Sequence, residues 1–528
     1  MAKECQKQLI ILGAGIMQGP VIMIAKEMGL EAVAVDGNPH APCASLADRF
    51  EPVDLKDKEG IEALGRSLQK TGTLGGIMTA GTDFSATAAW VAEKLGLPGV
   101  PYEAALNASD KGRMRRCFQQ AGLPSPEFLI LPAEGHDQEL PIPFGYPAVV
   151  KPVDNMGGRG CRSVDSPEDL EQALPDVLRF SRSRRAILEA YMDGPEFSID
   201  ALIFKGRTAI CGLADRHIFF PPYFIEMGHT MPANLRPEQI ESLIHTFIQG
   251  IRALGLLEEH CCGAAKGDLK LTSRGPMIGE IAARLSGGYM SGWTYPYAAG
   301  VEPIRGAIAA ALGTPPPGLT PVRAWTCAER AFISIPGTVR TVQGAQAAKA
   351  MPYVKDVFLR VKAGDTVRFP ENNVAKCGNI IAAAPLRETA LAAAEAAARR
   401  VLIRLEAPDR ETQTFLNTDG PGASAYPPDA FAWPGSAASL AELPRSDMRG
   451  LGVRAPSLIP FPAFTGLGLR DYTGRTAEET LEAVRGMVML PLAELPGAPP
   501  PFLGREFWAA LIRGGYQGAA YILDCYQG

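Results

Sequence analysis

The chain has little of what several classes of protein need. Its 528 residues contain only six histidines, and its ten cysteines include no Cys-x-x-Cys pair, so neither a zinc site nor a disulfide scaffold is indicated. The formal net charge of -5 argues against a nucleic-acid-binding protein, because that role needs a basic face. The sequence has no secretory signal and no apolar run long enough to cross a bilayer. We expect a cytoplasmic protein that contacts neither membrane nor nucleic acid.

The composition is that of an ordinary soluble globular protein, with 46% hydrophobic and 21% charged residues. A chain of this length exceeds one hydrophobic core, so about three or four domains are expected. A stretch rich in proline and glycine at 313–321 marks one boundary, because proline has no backbone N–H and continues neither a helix nor a ladder. The predicted domains cover residues 1–106, 107–311, 322–406 and 412–528.

The first hundred residues alternate short apolar runs with helical patterns, which is typical of βαβ units on a parallel sheet. Strand Leu9–Leu12 leads into the Gly-Ala-Gly turn at 13–15, and a second strand ends in Asp36. Gln18 stands where a dinucleotide-binding turn requires its third glycine, so NAD binding is disfavoured. A phosphate or carboxylate of a substrate is still expected at this helix start, because free backbone N–H groups point outward there.

Two lysines and a glycine-rich loop have the order that suits binding of ATP phosphates. Lys151 ends the apolar run 146–150, which is predicted to be a buried strand, and Lys111 precedes it along the chain. The loop 154–160 leaves the same strand, and its bare amides can lie against a triphosphate. Solvated surface lysines and a simple hairpin turn are the alternative interpretations.

The segment after this loop supplies candidate contacts for adenine and ribose. Residues 187–192 are predicted to form an edge strand whose free backbone groups pair with the adenine ring. Glu196 lies seven residues beyond Glu189, and its carboxylate can accept hydrogen bonds from both ribose hydroxyls.

Two acids flank a predicted hairpin turn at 273–276. Asp268 and Glu280 lie on the two short strands on either side of it, where an antiparallel pairing would let them face each other. Carboxylate oxygens are the ligands that Mg²⁺ prefers. A solvated pair of acids is the alternative, but the flanking residues are largely apolar, which favours a buried metal site.

At these residues the segment resembles the ATP-grasp superfamily, and the run Glu-x-x-x-x-Gly-Pro-Glu-Phe is similar to that of D-alanine:D-alanine ligases. The resemblance implies an α/β protein with a Rossmann-like preATP-grasp parallel sheet, an ATP-grasp α+β domain and a mixed α/β carboxy-terminal lobe that resembles biotin carboxylase. It implies ATP contacts at Lys111, Lys151, Gly157, Gly158, Gly160, Glu189, Tyr191, Met192 and Glu196. It also implies Mg²⁺ or Mn²⁺ on Asp268 and Glu280, and catalytic roles for Lys266 and Arg284.

One position departs from the pattern of the superfamily. An asparagine usually stands two residues after the second metal carboxylate, whereas this chain has Ala282. Because an alanine side chain cannot bind a cation, a second metal ion would rely on Asp268, Glu280 and phosphate oxygens.

Two segments that are predicted to be loops contain the candidate residues for binding the carboxylate substrate and its acceptor. Residues 215–232 are dense in polar and aromatic groups and are predicted to be irregular, as segments that carry sites often are. An arginine there could bind a substrate carboxylate, and a histidine could accept a proton from an amine. The alternative is that the histidines only satisfy hydrogen bonds. The candidates are Arg216, His217, Glu226, His229, Ser286 and Gly287.

The sequence therefore predicts an ADP-forming ligase that activates a carboxylate as an acyl phosphate for attack by an amine or a thiol. Two alternatives are a purine-biosynthetic or biotin-carboxylase-type enzyme, and a nucleotide-binding module without catalysis. The expected partners are a small-molecule carboxylate and an amine. A homodimer is left open.

Overall fold

The computed structural model describes residues 6–131, 142–417, 426–433, 436–449, 456–487 and 501–527. The chain divides into two compact units, one of residues 1–329 with 383–387 and one of residues 330–382 with 388–528. The finer boundaries predicted above stay predictions. Among the described residues, no helix combines the length and apolar character that crossing a bilayer requires.

The first unit begins with a parallel sheet, as the alternating pattern predicts. The strand order is β3-β2-β1-β4, and β1 and β2 are almost wholly buried, as expected where helices cover both faces. The strands are β1 (Lys7–Leu12), β2 (Glu31–Val35), β3 (Arg49–Glu51) and β4 (Thr73–Thr79), and the helices are α1 (Gly19–Glu27), α2 (Lys58–Thr71), α3 (Ser85–Leu95) and α4 (Tyr102–Ser109).

The turn after β1 differs from the prediction. The Ala14 N–H donates to Asp36 Oδ2 at 2.9 Å, and the Gly15 N–H donates to Gln18 Oε1 at 3.0 Å. Side chains of the protein already satisfy these two amides, so neither is free to bind a substrate anion, and an anion at the rest of this helix start stays a prediction.

A small antiparallel sheet follows, with the order β5-β8-β6-β7. Its elements are α5 (Lys111–Gln120), β5 (Phe128–Leu131), β6 (Ala148–Pro152), β7 (Arg162–Val164), α6 (Pro167–Phe180) and β8 (Ala186–Ala190). The predicted edge strand at 187–192 is wrong, since β8 pairs with both β5 and β6. The apolar run of β5 supplies a neighbour that the prediction did not include.

A larger antiparallel sheet completes the first unit, with strands in the order β13-β12-β9-β10-β11. Helix α7 packs on β12 and β13 through a core that includes Phe247, Ile251, Ile278 and Ile281. The elements are β9 (Glu196–Phe204), β10 (Arg207–Phe219), β11 (Ile225–Met231), α7 (Pro237–Ala253), β12 (Cys262–Thr272), β13 (Gly275–Ala282), α8 (Tyr295–Ala299), α9 (Pro303–Ala311) and β14 (Thr326–Phe332), whose last residues belong to the second unit.

The prediction of an irregular segment at 215–232 is wrong. Strands β10 and β11 cover most of it and pair with each other, with Arg216 opposite His229. The proline pair at 221–222 lies at the tip between them, where its missing N–H groups do not interrupt the ladder.

The second unit is mixed α/β, as predicted for its first part. Helix α11 ends at Arg400, and residues 402–405 form strand β19, where branched side chains favour a strand. The elements are β15 (Gly337–Gln343), α10 (Ala345–Lys349), β16 (Val354–Leu359), β17 (Thr366–Val367), β18 (Gly378–Ala384), α11 (Arg387–Arg400), β19 (Leu402–Leu405), α12 (Arg410–Asn417), α13 (Ser436–Ala441), β20 (Ser457–Leu458), α14 (Pro462–Thr465), α15 (Ala477–Arg485), β21 (Phe502–Leu503) and α16 (Arg505–Gln527), which is interrupted at Gly515.

Candidate active site

The two predicted metal carboxylates lie opposite each other on the β12–β13 hairpin. Asp268 pairs with Glu280 in the register of the two strands, so the predicted arrangement is confirmed. Ser198 Oγ donates to Asp268 Oδ1 at 2.6 Å, and Lys266 and Arg216 both contact Asp268 Oδ2. Burial acts to raise the pKa of Asp268, but the two cations outweigh it, so the pKa lies below its usual value.

Glu280 is surrounded by positive charge. Lys111 begins helix α5, and its Nζ lies 3.4 Å from Glu280 Oε1. Burial acts to raise the pKa of Glu280, but Lys111, with Lys151, Lys266 and Arg284, lowers it to about 2. The carboxylate is therefore ionised over the whole physiological pH range. The four cations were all predicted site residues, and the structure brings them together.

A buried ion pair joins the second lysine to the small sheet. Lys151 Nζ lies 2.7 Å from Glu189 Oε2, and Arg115 Nε lies 2.9 Å from Glu189 Oε1. Burial acts to raise the pKa of Glu189, yet Arg115 and Lys151 hold it below the usual value. The sequence reasoning missed Arg115. Its position four residues after Lys111 was an available signal, because residues at that spacing share a helix face.

The glycine-rich loop connects β6 to β7 beside Lys111. The Lys111 ammonium donates to the Asn155 carbonyl at 2.7 Å. Gly157, Gly158 and Gly160 have φ angles of 69°, 73° and 67°, which side chains other than glycine rarely adopt. The glycines therefore permit the left-handed backbone of the loop, and a buried lysine holds the carbonyl of Asn155 within it.

The residues after β8 lie against the β12–β13 hairpin. Lys270 Nζ donates to the Met192 carbonyl at 3.0 Å and lies 5.4 Å from the centre of the Tyr191 ring. A methyl group built on Gly279 would lie 3.8 Å from Met192 Cε. These contacts place the predicted adenine-binding residues next to the strand that carries Glu280.

Arg216 lies among three carboxylates. It contacts Glu196, lies 2.7 Å from Glu226 Oε2 and lies 3.2 Å from Asp268 Oδ2. Burial acts to lower the pKa of Arg216, but Asp268, Glu196 and Glu226 raise it well above its usual value. In this structure the guanidinium binds acids of the chain itself, and its predicted role as a substrate clamp stays a prediction.

The two predicted histidines lie on opposite faces of the β10–β11 pair. His229 Nδ1 is 3.0 Å from Glu329 Oε2, and His229 Nε2 is 3.6 Å from Glu226 Oε2. His217 Nε2 is instead 2.9 Å from Thr230 Oγ1. His217 follows Arg216 directly on β10, and adjacent residues of a strand point to opposite faces. The structure brings His229 to the acids around Arg216 and does not bring His217 there.

The loop after β13 approaches this acidic group. The Ser286 N–H donates to Asp200 Oδ1 at 2.8 Å. A methyl group built on Gly288 would lie 3.0 Å from Glu226 Oε1 and 3.1 Å from His229 Cε1. Ser286 and Gly287 are therefore beside the predicted substrate residues. Arg284 is buried, and its Nη1 donates to the Leu285 carbonyl at 3.1 Å.

The end of β4 also reaches the site. Ala80 forms a parallel bridge with Leu285, and Gly81 packs against Gly287. Two residues farther on, burial raises the pKa of Asp83 although Arg284 and Lys111 act to lower it. The sequence reasoning missed Asp83. Its place after a parallel strand was a signal, since ligands collect at the carboxyl ends of such strands.

Two family models match the chain. Residues 144–291 match a model described as an ATP-grasp domain, and residues 331–406 match one described as L-amino acid ligase C-terminal domain 2. The first match contains the glycine-rich loop, Glu189, Asp268, Glu280 and Arg284.

Curated relatives and solved structures agree with these matches. An uncharacterized protein of Sinorhizobium fredii is 25% identical over 397 residues, covering 74% of this chain and 81% of the relative. Chicken carnosine synthase 1 is 26% identical over 337 residues, covering 59% of this chain but only 36% of that protein. The crystal structure of an L-amino acid ligase from Bacillus licheniformis has a TM-score of 0.65 at 23% identity, covering 76% of this chain and all of that one.

The last similarity shows the fold, and it confirms the predicted α/β class with its ATP-grasp architecture. The ATP-grasp match covers the paired carboxylates Asp268 and Glu280 and three of the four cations near Glu280, whereas Lys111 lies before it. Residues 144–291 therefore form an ATP-grasp domain, and the chain as a whole is similar to ligases that contain one.

Proposed function

We propose that the protein joins two amino acids, activating the carboxylate of one as an acyl phosphate for attack by the amino group of the other. The observation that carries this proposal is the pair Asp268 and Glu280, held face to face with cations around them. Phosphoryl transfer needs positive groups on the phosphates and little covalent chemistry from the protein.

ATP is proposed to lie between the small sheet and the β12–β13 hairpin. Lys111 and Lys151 would contact its phosphates together with the amides of the glycine-rich loop. Glu189, whose carboxylate is paired with Arg115 and Lys151, would contact the nucleotide as the resemblance implies. Glu196 would accept from the ribose, as predicted.

A divalent cation fits the donor set of the hairpin. Asp268 and Glu280 supply two carboxylates, and no cluster of three or more candidate ligands occurs among the described residues. Mg²⁺ suits such a site, because it is usually bound by one or two carboxylates with phosphate and water completing its octahedron. When bound, it would neutralise charge on the phosphates. Mn²⁺ is the alternative cation.

The proposed reaction has two steps. A carboxylate oxygen of the first substrate attacks the γ-phosphorus, and the bond to the bridging oxygen breaks to release ADP. The amine nitrogen of the second substrate then attacks the acyl carbon, the bond to the phosphate oxygen breaks, and the nitrogen loses a proton. Lys266 and Arg284 are proposed to stabilise the charge on the transferred phosphoryl group, since both are cations beside Glu280.

The acids around Arg216 support an amino acid as the first substrate. Glu226 and Glu329 lie on either side of His229, within 3.6 Å and 3.0 Å of its ring nitrogens. Such a negative group suits the α-ammonium of a substrate whose carboxylate points toward Arg284. The family model matched by residues 331–406 carries the name of L-amino acid ligases, which supports the same substrate class.

The test is ADP release from ATP and Mg²⁺ with amino acids supplied singly and in pairs, with products identified by mass spectrometry. We expect ADP and a dipeptide in equal amounts for at least one pair. Release that depends on bicarbonate would favour the biotin-carboxylase-type or purine-biosynthetic alternative. ATP binding without release under any acid would favour a non-catalytic module.

A further inference from the structure

Helix α5 carries a second cation besides Lys111 that faces the proposed nucleotide site. Arg115 is completely buried, with 0% of its surface exposed. A buried guanidinium is unfavourable unless several groups compensate its charge and its N–H donors. The partners of Arg115 therefore indicate what holds it in place.

The guanidinium contacts two strands that belong to different sheets. Its Nε lies 2.9 Å from Glu189 Oε1 on β8, although the N–H is not aligned as a hydrogen bond. Its Nη2 donates to the carbonyl of Gly279 on β13. One side chain thus connects the small sheet to the β12–β13 hairpin.

Each residue that Arg115 contacts is in turn bonded to, or paired with, a residue of the proposed function. Glu189 holds Lys151 at 2.7 Å through its other carboxylate oxygen. Gly279 immediately precedes Glu280, so its carbonyl fixes the backbone from which that carboxylate extends. Arg115 itself extends from the same face of α5 as Lys111.

We infer that Arg115 is a positioning residue that fixes the phosphate-binding Lys151, through Glu189, relative to the metal carboxylate Glu280, through Gly279. This inference rests on the proposed nucleotide and metal sites. The planar guanidinium suits the task, because it can pair electrostatically with a carboxylate on one side while it donates to a carbonyl on another. A lysine offers one compact ammonium and reaches only one of them.

The test compares Arg115→Lys and Arg115→Met with Arg116→Met, whose arginine is exposed on the same helix. Binding of Mn²⁺ in the presence of a nonhydrolysable ATP analogue is followed by electron paramagnetic resonance. Analogue affinity is measured separately by calorimetry at saturating metal. We expect Arg115→Lys to keep the analogue affinity within about threefold of wild type and to weaken Mn²⁺ binding about tenfold. Tenfold is the lower end of the loss in metal affinity that follows substitution of a residue that orients a metal ligand.

Arg115→Met should weaken both, because Glu189 then loses a buried cation as well, whereas Arg116→Met should change neither. Mn²⁺ affinity equal to wild type in Arg115→Lys would overturn the inference, as would a lower melting temperature with both affinities unchanged. Arg115→Lys carries the test if the methionine variant does not fold.

The two proposals can fail separately. Wild-type protein that binds Mn²⁺ and the analogue but joins no amino acids would contradict the substrate assignment and leave the role of Arg115 standing. Wild-type protein that binds neither would overturn both.

Discussion

The two units of the chain treat buried charge differently. In the second unit, Arg513 lies 3.0 Å from Asp429, and the carbonyls of Phe415 and Pro427 accept its other hydrogen bonds. In the first unit, Arg216 lies among three carboxylates, and Glu280 lies near four cations. An ion pair such as that of Arg513, whose other hydrogen bonds go to main-chain carbonyls, stabilises the fold. Side-chain charges that interact mainly with one another, as around Arg216 and Glu280, can exchange partners when a charged substrate binds.

The largest effect is expected at the centre of the first unit. Glu280→Gln keeps the shape of the side chain but removes the negative charge, so ADP release should fall about 1,000-fold. Circular dichroism should show the fold intact. Glu259→Gln, which alters an exposed acid, is the matched control and should keep full activity. Unchanged turnover in Glu280→Gln would contradict the proposed metal site.

The converse test lies in the second unit. Arg513→Met leaves Asp429 buried without its guanidinium, so the free energy of unfolding should fall by about 3–5 kcal/mol. Urea denaturation measures this change, and ADP release per folded molecule should not change. Arg410→Met, at an exposed position, should stay within about 0.5 kcal/mol of wild type. Loss of activity without loss of stability would break the contrast between the units.

A smaller effect is expected at Lys151, the lysine proposed to bind phosphate. Lys151→Met should raise the KM for ATP about 10- to 100-fold, because a charged hydrogen bond to phosphate contributes about 1.5–3 kcal/mol. Steady-state kinetics at saturating amino acids measures it. The exposed Lys70 provides the control substitution Lys70→Met. An unaltered KM would place the triphosphate elsewhere.

The smallest effect is expected at the acidic group around Arg216. Glu226→Gln should raise the KM for the amino acid that is activated about tenfold, since a neutral amide binds its ammonium less well. The matched substrate that lacks the α-amino group should show no such change. Equal effects on the two substrates would mean that Glu226 acts on the fold and not on the ammonium.

Local sequence predicted the parts of the site that lie on one strand or one hairpin. Lys151 lies one residue before the end of β6, and the predicted hairpin forms around a turn at 273–274. The strand and the hairpin depend on neighbouring residues, so the apolar pattern and the turn were enough to predict them. The pairing of Asp268 with Glu280 also needs a register shift between Asp268 and Leu269, which the pattern did not reveal. The positions of the glycine-rich loop and the α/β class followed from the same reasoning.

Contacts between distant segments could not be predicted in this way. The interior position of β8 depends on β5, which lies more than fifty residues earlier in the chain. The separation of His217 from His229 depends on the register of β10 with β11, which places His229 opposite Arg216 and not opposite His217. The amides of Ala14 and Gly15 donate to side chains that the Gly-Ala-Gly pattern did not reveal.

The sequence by itself determined which residues are candidates to bind phosphate and metal, because the position of a lysine near a strand end or of an acid in a hairpin depends on nearby residues. The tertiary structure decided which charges meet. Arg115 and the carbonyl of Gly279 are 164 residues apart, and their contact depends on how two sheets pack around one helix. No local pattern encodes this contact, since it depends on the packing of side chains across the whole first unit.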